Sequence, residues 1–465
     1  MELYDLIRKN ENLTFTDSAT GVSKSIKEMH QSLKIDDLRS VVFIYNDNQL
    51  PAIETFLNFY QSRYTIALQG LGINTDFKEN LEKKYTPYYI YDPSRNSIEG
   101  YSTVNASETI VLFKRNENSI FPIHPKVKLL LSTSGTTGSP KFVRLSDENL
   151  VQNAKSILKY QPIRTDDVVP LNVPVNSVYG LSIFTTNCIK AHQIVCTDKD
   201  VFQKEFWSDL KKYEYSTLGG VPYFYEILQS IGFFKKDHPS LRYFTHGGGM
   251  LNHKLIEIIS EYTKKYDKQF FAQYGQTEAS GRMAFLSTED LLRKRASIGR
   301  SIHNGRFEID NETSELIYYG PNIFGGYANI RADLQFYDQE EKLHTGDLAK
   351  VDDEGYYYIT GRLKRIVKLF GTRINLDEME LLLKDNLNGK TFICLDVSDK
   401  NLAVLYTDKN MDKELIKGVL KEKLSLHASS LKVIHMDDLP LTANGKVNYP
   451  MIKEWLKSES LVQQS

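Results

Sequence analysis

The chain has 465 residues, of which 41% are hydrophobic and 25% are charged, and its formal net charge is −1. This composition is typical of a globular protein of roughly two to four domains, and it excludes a broad charged surface for nucleic acid or anionic membranes. The three cysteines form neither a metal-ligand spacing nor a disulfide framework, which favours a reducing compartment. We expect a cytoplasmic protein with no nucleic-acid partner, no secretory leader and no membrane span.

In the first three quarters of the chain, short apolar strands alternate with helical patterns. Residues 41–45 predict a buried strand, and residues 52–64 predict a helix with one apolar face. Ser146 is typical of the N-cap of a helix that continues to residue 159. Strands separated by helices favour parallel or mixed sheets flanked by helices. The remaining predicted strands cover residues 64–68, 88–91, 109–113, 127–131, 193–196, 241–245 and 269–272.

The pattern changes near Arg362, where the elements become short and rich in charge. This part predicts a small α+β module of ordinary domain size. We therefore predict two domains, an N-terminal body over residues 1–361 and a C-terminal domain over residues 362–465. The predicted helices of the smaller domain cover residues 376–387 and 411–424, and its predicted strands cover residues 391–397, 402–408 and 431–435.

The most informative segment is Leu-Leu-Leu-Ser-Thr-Ser-Gly-Thr-Thr-Gly-Ser-Pro-Lys at residues 129–141. It predicts a buried strand followed by a loop whose backbone N–H groups, hydroxyls and lysine bind phosphate oxygens. It is not the loop of kinases and GTPases, because two residues separate the second glycine from the lysine. A flexible linker is the alternative, but linkers rarely follow an apolar strand. The candidate phosphate ligands are Ser132, Thr133, Ser134, Gly135, Thr136, Thr137, Gly138 and Lys141.

A second motif, Ala-Gln-Tyr-Gly-Gln-Thr-Glu-Ala-Ser, occupies residues 272–280. It predicts a strand that enters a turn at Gly275. Thr277 can donate a hydrogen bond to a phosphate, and Glu278 can bind Mg²⁺, which prefers carboxylate and phosphate oxygens. The alternative is a simple connection between a strand and a helix.

Two further motifs lie towards the C-terminus. Asp347 ends the sequence Leu-His-Thr-Gly-Asp, and a carboxylate in such a place can accept hydrogen bonds from ribose hydroxyls. Residues 352–355 predict a hairpin turn, so a plain β-meander is the alternative for this region. Lys446 lies in the turn sequence Thr-Ala-Asn-Gly-Lys. Taken alone it would be a solvated surface charge, and its significance comes from the preceding motifs.

In this order and spacing, the four motifs resemble those of the adenylate-forming superfamily, which includes acyl-CoA synthetases, peptide-synthetase adenylation domains and beetle luciferases. The resemblance covers nearly the whole chain. It implies an α/β fold, with a large N-terminal domain of parallel and mixed sheets flanked by helices and a small mobile α+β C-terminal lid domain. It also implies ATP and Mg²⁺ as cofactors. A carboxylate attacks the α-phosphate of ATP, and a thiol of coenzyme A or of a carrier-protein phosphopantetheine then takes the acyl group.

The resemblance implies a role for each matching residue. The loop from Ser132 to Lys141 would cradle the β- and γ-phosphates, Thr277 would touch phosphate and Glu278 would bind Mg²⁺. Lys446 would be the catalytic lysine that reaches the site during adenylation. The remaining nucleotide, hinge and thiol positions would be Gly247, Gly248 and Gly249 beside the adenine and the acyl pocket, Tyr274 against the adenine, Asp347 at the ribose with Arg362 nearby, Lys364 at the hinge and Gly371 in the thiol tunnel.

Two positions depart from the superfamily pattern. Ser177 stands where many acyl-CoA synthetases have a histidine, which removes any role of that histidine. Val175 stands where amino-acid-activating relatives have an aspartate, and an unpaired buried ammonium is costly. We therefore expect a small carboxylic acid substrate that is not an α-amino acid. The expected walls of its pocket suit an apolar or aromatic acyl group and comprise Tyr179, Val221, Pro222, Tyr223 and Met250.

The leading hypothesis is an ATP-dependent acid–thiol ligase that forms AMP. The nearest alternative is a stand-alone adenylation enzyme that loads an acyl or aminoacyl group onto a separate carrier protein. A non-catalytic nucleotide-binding scaffold is a second alternative, and a luciferase-like oxidation is a third. The sequence leaves open which acid is used, which thiol accepts it, and the oligomeric state.

Overall fold

The computed structural model describes residues 2–117, 121–132, 141–369, 372–387, 390–398, 401–424, 426–441 and 447–462. These residues form two compact units. The first contains the described residues of Met1–Gly135, Ser139–Arg306 and Tyr318–Leu343, and the second contains those of Phe307–Ile317 and His344–Ser465. The predicted division into domains at residues 361 and 362 stays a prediction.

The described strands follow one another along the whole chain. They are β1 (Thr14–Asp17), β2 (Ser23–Ser25), β3 (Val41–Asn46), β4 (Thr65–Gly70), β5 (Tyr89–Tyr91), β6 (Tyr101–Asn105), β7 (Val111–Arg115), β8 (Leu129–Ser132), β9 (Phe142–Leu145), β10 (Val168–Pro170), β11 (Gln193–Cys196), β12 (Thr217–Gly220), β13 (Tyr243–His246), β14 (Gln269–Tyr274), β15 (Ala284–Leu286), β16 (Ser297–Ser301), β17 (Arg306–Ile309), β18 (Glu315–Tyr319), β19 (Tyr327–Ala328), β20 (Lys342–Val351), β21 (Tyr357–Arg362), β22 (Ile366–Leu369), β23 (Thr372–Asn375), β24 (Phe392–Ser398), β25 (Asn401–Tyr406) and β26 (Leu431–His435).

Helices separate many of these strands. They are α1 (Leu3–Arg8), α2 (Ile26–Met29), α3 (Leu50–Gln61), α4 (Thr75–Tyr85), α5 (Asp147–Ile157), α6 (Val178–Lys190), α7 (Lys204–Tyr213), α8 (Pro222–Ser230), α9 (His253–Tyr266), α10 (Thr288–Leu291), α11 (Leu376–Asn386), α12 (Lys413–Leu424) and α13 (Tyr449–Val462). Among the described residues, no helix is long and apolar enough to cross a membrane.

The first unit contains an eight-stranded sheet in the order β19-β9-β8-β4-β3-β5-β7-β6. Its centre is parallel, with β3 beside β4 and β5, and β4 beside β8. Strand β3 is buried along its whole length, as expected for a strand covered on both faces. Helix α3 is also buried almost all round, rather than on the single face predicted. Its polar residues are paired there, since Lys24 bonds Glu54 at 2.7 Å and Asn58 donates to the Met29 carbonyl.

The same unit places β12, β13 and β14 side by side as parallel neighbours, and β15 and β16 continue this series in antiparallel pairs. Because the carboxyl ends of parallel strands lie at one edge, the segments that follow β13 and β14 are neighbours. These segments begin with Gly247 and Gly275. A separate four-stranded sheet has the order β10-β11-β1-β2.

The second unit is smaller and mixes short sheets with helices. Strands β20 and β21 form an antiparallel hairpin, whose turn has Gly355 at φ +81° as the predicted turn at 352–355 requires. Strands β22 and β23 pair antiparallel. A three-stranded sheet follows in the order β24-β25-β26, and α11 and α12 bury leucines and isoleucines against it, including Leu383, Ile416 and Leu420.

The predicted α/β fold class is confirmed, with mixed sheets and flanking helices in the first unit and an α+β arrangement in the second. Strands β11 and β26 have the predicted bounds, and most others differ by one or two residues at an end. Ser146 caps α5 as predicted, because its hydroxyl accepts a bond from the Asn149 N–H at 3.1 Å. Strand β6 was not predicted, since its mostly exposed residues give no apolar pattern.

Candidate active site

The two ends of the predicted phosphate loop lie at the base of one hairpin in the first unit. Strands β8 and β9 are antiparallel, and Ser132 is the register partner of Phe142. Ser132 and Lys141 are therefore held close together by backbone pairing. The loop between them, with Thr133, Ser134, Gly135, Thr136, Thr137 and Gly138, lies outside the described residues.

Tyr327 joins the first motif to the second. The Lys141 Nζ lies 3.3 Å from the centroid of the Tyr327 ring, which is a cation–π contact. The Tyr327 hydroxyl donates to Glu278 Oε1 at 2.7 Å. Burial and the neighbouring carboxylate raise the pKa of Tyr327, so the phenol keeps its proton for this bond. The base of the phosphate loop and the predicted magnesium ligand thus share one aromatic residue, which the sequence motifs did not single out.

The turn that carries Thr277 and Glu278 is tightly closed. Thr277–Ala279 form a 3₁₀ turn, and the Gly281 N–H donates to the Gln276 carbonyl at 3.2 Å. A Cβ on Gly275 would overlap the Gly281 carbonyl oxygen, so the fold requires glycine at this position. Both predicted side chains, Thr277 and Glu278, are half-buried.

Asn322 holds this turn from the neighbouring segment. Its amide donates to the carbonyls of Ala279 at 2.6 Å and Arg282 at 3.0 Å. Ser280 donates back to the Asn322 carbonyl at 2.9 Å, and the Phe324 N–H donates to the Glu278 carbonyl. Because Asn322 is buried, these bonds fix the backbone on which Glu278 stands.

The glycine segment 247–249 follows β13 and contacts two of the expected pocket walls. A Cβ on Gly247 would approach the Tyr179 ring at 3.2 Å, and one on Gly249 would approach Pro222 at 3.0 Å. Gly248 has φ +83°, which favours glycine. Tyr274 ends the adjacent strand β14. The structure therefore places the segments predicted for the adenine and the acyl group side by side. Two of the expected pocket walls, Tyr223 and Met250, are partly exposed to solvent.

Ser177 and Val175 have structural reasons for their identities. Ser177 is the N-cap of α6, and its hydroxyl accepts a bond from the Gly180 N–H at 3.0 Å. Val175 is fully buried, and its N–H donates to Asn48 Oδ1 at 3.0 Å. An apolar side chain at this position offers no partner for an ammonium group.

In the second unit, Asp347 and Arg362 face each other across the β20–β21 hairpin. They are register partners, and the Arg362 Nε lies 3.2 Å from the Asp347 Oδ1. The Asp347 N–H donates a hydrogen bond to the Thr345 hydroxyl at 3.1 Å. The predicted ribose carboxylate is therefore held by the arginine predicted to lie near it.

Lys364 follows directly, in the 3₁₀ turn Leu363–Arg365, and its side chain is exposed. The next residue, Arg365, is largely buried and forms ion pairs at 2.5 Å with Asp377 and Glu380 of α11. The predicted hinge position is thus followed at once by an anchored arginine. Gly371 and Lys446, the predicted thiol-tunnel glycine and catalytic lysine, lie outside the described residues.

Glu278 is the carboxylate that lies beside Tyr327 and hence near Lys141 at the base of the phosphate loop. Its Oε1 accepts from Tyr327, and no described residue donates a hydrogen bond to its Oε2. No group of three His, Cys, Asp or Glu side chains in the described part of the chain is placed to hold a metal ion. A single carboxylate completed by phosphate oxygens and water is the usual arrangement for Mg²⁺, so Glu278 fits the predicted ion.

Residues 40–328 match the protein family described as AMP-binding enzyme. The chain belongs to this AMP-binding enzyme family. The match covers the sequence of the phosphate loop, and it also covers Lys141, Glu278 and Tyr327, which the fold brings together. The predicted membership in the adenylate-forming superfamily is confirmed, and so is the predicted class of enzyme, an AMP-forming acid–thiol ligase.

Known members of this family are similar to the chain over most of its length. The oxalate–CoA ligase of Arabidopsis thaliana is 25% identical over 70% of this chain and 67% of its own length. The indoleacetate–CoA ligase of Aromatoleum aromaticum is 26% identical over 74% and 70%. The O-succinylbenzoate coenzyme A synthetase of Bacillus subtilis, solved with ATP and magnesium ion, superposes with a TM-score of 0.74 at 18% identity, covering 96% of this chain and 99% of that one.

Proposed function

We propose that this AMP-binding enzyme activates a carboxylic acid with ATP and Mg²⁺ and transfers the acyl group to coenzyme A. The observation that carries this proposal is the chain of contacts from Lys141 through Tyr327 to Glu278. It joins a cation beside the phosphate loop to the carboxylate suited to Mg²⁺. The similar CoA ligases support coenzyme A as the acceptor.

The reaction has two balanced steps. A carboxylate oxygen of the acid bonds to the α-phosphorus of ATP, and the bond to the pyrophosphate oxygen breaks. The thiol of coenzyme A then bonds to the acyl carbon, AMP departs, and the thiol proton goes to solvent. Both steps bring anions together, so preorganised positive charge and hydrogen-bond donors stabilise the transition state.

In this proposal Lys141 and the hydroxyls from Ser132 onward bind the β- and γ-phosphates. Glu278 holds Mg²⁺, which supplies charge neutralisation at the phosphates when bound. Thr277 donates to a phosphate oxygen. The glycine segment 247–249 and Tyr274 flank the nucleotide and the acyl group.

The remaining roles rest on the superfamily resemblance. Asp347, held by Arg362, binds the ribose hydroxyls. Lys364 serves as the hinge residue and Gly371 lines the path of the thiol. Lys446 supplies the positive charge for adenylation and is absent from the second step.

The test is an assay of pyrophosphate and AMP release over short, long, aromatic, amino and dicarboxylic acids, with and without coenzyme A. At least one acid should give pyrophosphate and AMP in equal amounts, and coenzyme A should raise turnover. Glu278→Gln should reduce the rate about 10²–10³-fold, whereas Glu289→Gln, an exposed acid of the same unit, should not. ADP as the product, or no product with any acid, would contradict the proposal. If only an added carrier protein raises turnover, the acceptor is the carrier protein and not coenzyme A.

A further inference from the structure

A cationic side chain that the proposed chemistry does not use lies at the end of the 275–282 turn. Arg282 is 3% exposed, and its guanidinium carbon lies 4.4 Å from the centroid of the Tyr179 ring. Its Nε has no hydrogen-bond partner, and its charge interacts with the nearby Tyr160 and Tyr179 side chains. Among the described residues no carboxylate forms an ion pair with it. Buried arginines are ordinarily paired with acids, because an isolated buried charge is costly.

Several polar atoms near Arg282 also lack hydrogen-bond partners. His246, at the carboxyl end of β13, is 3% exposed and both of its ring nitrogens are unpaired. Burial and then the Arg282 charge lower the pKa of His246 to about 3, so the ring is neutral and can donate one hydrogen bond. Tyr160 accepts a bond from Gln273 at 2.9 Å, while Gln273 Oε1 is unpaired. The cluster therefore offers donors and positive charge with no anion to receive them.

The cluster adjoins the segment assigned to the acyl group. Tyr179 contacts Arg282 on one side and packs near Gly247 on another. Its hydroxyl donates to the Thr245 carbonyl at 2.7 Å, which fixes the ring. His246 immediately precedes Gly247. All of these residues belong to the first unit, so their arrangement does not depend on the second.

Resting on the proposed function, we propose that Arg282, with His246 and Tyr160, binds a second carboxylate of the acid substrate, and that the substrates are dicarboxylic acids. One carboxylate reacts with ATP, and the distal carboxylate pairs with the guanidinium. An acid without a second carboxylate leaves the buried Arg282 guanidinium unpaired. A site built to bind a polar group strongly rejects ligands that lack that group. The same positive charge repels the ammonium of an α-amino acid, in agreement with Val175.

A purely structural role is the competing explanation. In that case the stacking of Arg282 on Tyr179 stabilises the fold and the acyl group never meets the guanidinium. The two explanations differ in what they predict for acids of the same length. Only a binding role makes the effect of Arg282 depend on the distal charge of the substrate.

The experiment compares dicarboxylic acids with their own monomethyl esters in ATP–pyrophosphate exchange, using straight-chain and aromatic diacids of several lengths. Each pair has the same backbone and one reactive carboxylate, and differs in the distal charge. For at least one pair we expect kcat/KM to be 10²-fold or more higher for the diacid. Arg282→Met should lower this ratio about 10²–10³-fold, and Arg282→Lys should restore part of it. Arg242→Met is the matched control. Arg242 directly precedes β13, at the end of the strand opposite to His246, and its guanidinium pairs with Asp167. This substitution should leave the ratio unchanged.

Two further measurements keep the outcomes distinct. Thermal melting of each variant reports whether it is folded, and His246→Gln provides a milder change in the same cluster, which should also lower the ratio. Calorimetric titration of the diacids and monoesters into the protein without ATP tests binding alone.

Two results would overturn the inference while leaving the proposed function intact. One is exchange with monoesters equal to that with diacids, and the other is a loss of exchange from Arg282→Met that is the same for both in a folded protein. If no acid supports exchange, the proposed function fails, and diacid binding that Arg282→Met abolishes would still support the inference. Absence of both exchange and diacid binding would overturn the two together.

Discussion

Glu380 in the second unit provides a prediction about pH and stability. Its carboxylate is paired with Arg365 at 2.5 Å, and it accepts hydrogen bonds from the Cys394 N–H at 2.7 Å and the Tyr449 hydroxyl at 3.1 Å. Burial nevertheless raises its pKa from 4.5 to about 7, and outweighs the opposing effect of Arg365. One arginine has to serve two carboxylates here, because Asp377 also lies at 2.5 Å.

The sign of the effect follows from the direction of the shift. Between pH 4.5 and about 7, the folded chain holds a proton on Glu380 that the unfolded chain has released. The folded state binds more protons in this window, so stability falls as the pH rises through it. At about 1.36 kcal/mol per pKa unit, the full effect is about 3 kcal/mol. Glu380→Gln keeps an acceptor for the Cys394 N–H and removes the titration.

The two tryptophans allow the second unit to be followed by itself. Trp207 lies in the first unit and Trp455 in the second, so a Trp207→Phe background leaves Trp455 as the fluorescent reporter. Urea unfolding at pH 5 and pH 7.5 should show a lower free energy of unfolding at the higher pH. Glu380→Gln should remove most of that difference, whereas Glu378→Gln, an exposed acid of the same helix, should not. An unchanged pH dependence in Glu380→Gln would refute the reasoning.

Three other substitutions test the site, the first two by ATP–pyrophosphate exchange with an accepted acid and the third by unfolding. Tyr327→Phe removes the hydrogen bond to Glu278 and keeps the ring beside Lys141, so we expect a loss of about 10–100-fold and a weaker response to Mg²⁺; an unaltered response to Mg²⁺ would exclude this role. Lys446→Ala should lose about 10²–10³-fold in exchange and retain thiolysis of a supplied acyl-adenylate, and equal loss of both steps would count against the assignment. Gly275→Ala should destabilise the first unit by about 2–3 kcal/mol in thermal or urea unfolding, because its Cβ meets a backbone carbonyl; a wild-type stability would show that the turn can adjust.

Local patterns were enough to predict the elements that position the site. The apolar run before Ser132 and the capping serine at Ser146 are short-range signals, and both predicted elements form. Gly275, between the end of a predicted strand and Glu278, likewise indicated the turn at this position. The superfamily resemblance implied only that Arg362 lies near Asp347, and the hairpin register turns this nearness into a specific ion pair.

The residues that the sequence did not reveal act over long separations. Tyr327 meets Glu278 across 49 positions, and only the strand order that places β19 beside β9 brings it to Lys141. Arg282 reads in the sequence as an ordinary charged residue in a turn. Its significance comes from burial and from the absence of an acid beside it among the described residues, and neither property is visible in a linear pattern. The paired glycines at 325–326, directly before Tyr327, are the local sequence feature that marks this position.

The 275–282 turn carries both the proposed Mg²⁺ ligand and the proposed acid-binding residue, and its hydrogen bonds bear on whether the two roles can change separately. Glu278 and Arg282 stand on the same short piece of backbone, which Asn322 holds at the Ala279 and Arg282 carbonyls. A change in that backbone would therefore move both groups together. Replacing the Arg282 side chain alone leaves these carbonyl bonds in place, since Asn322 bonds the backbone and not the guanidinium. If Arg282 binds the acid as proposed, acid specificity can change through this one side chain while Glu278, the proposed Mg²⁺ ligand, keeps its position.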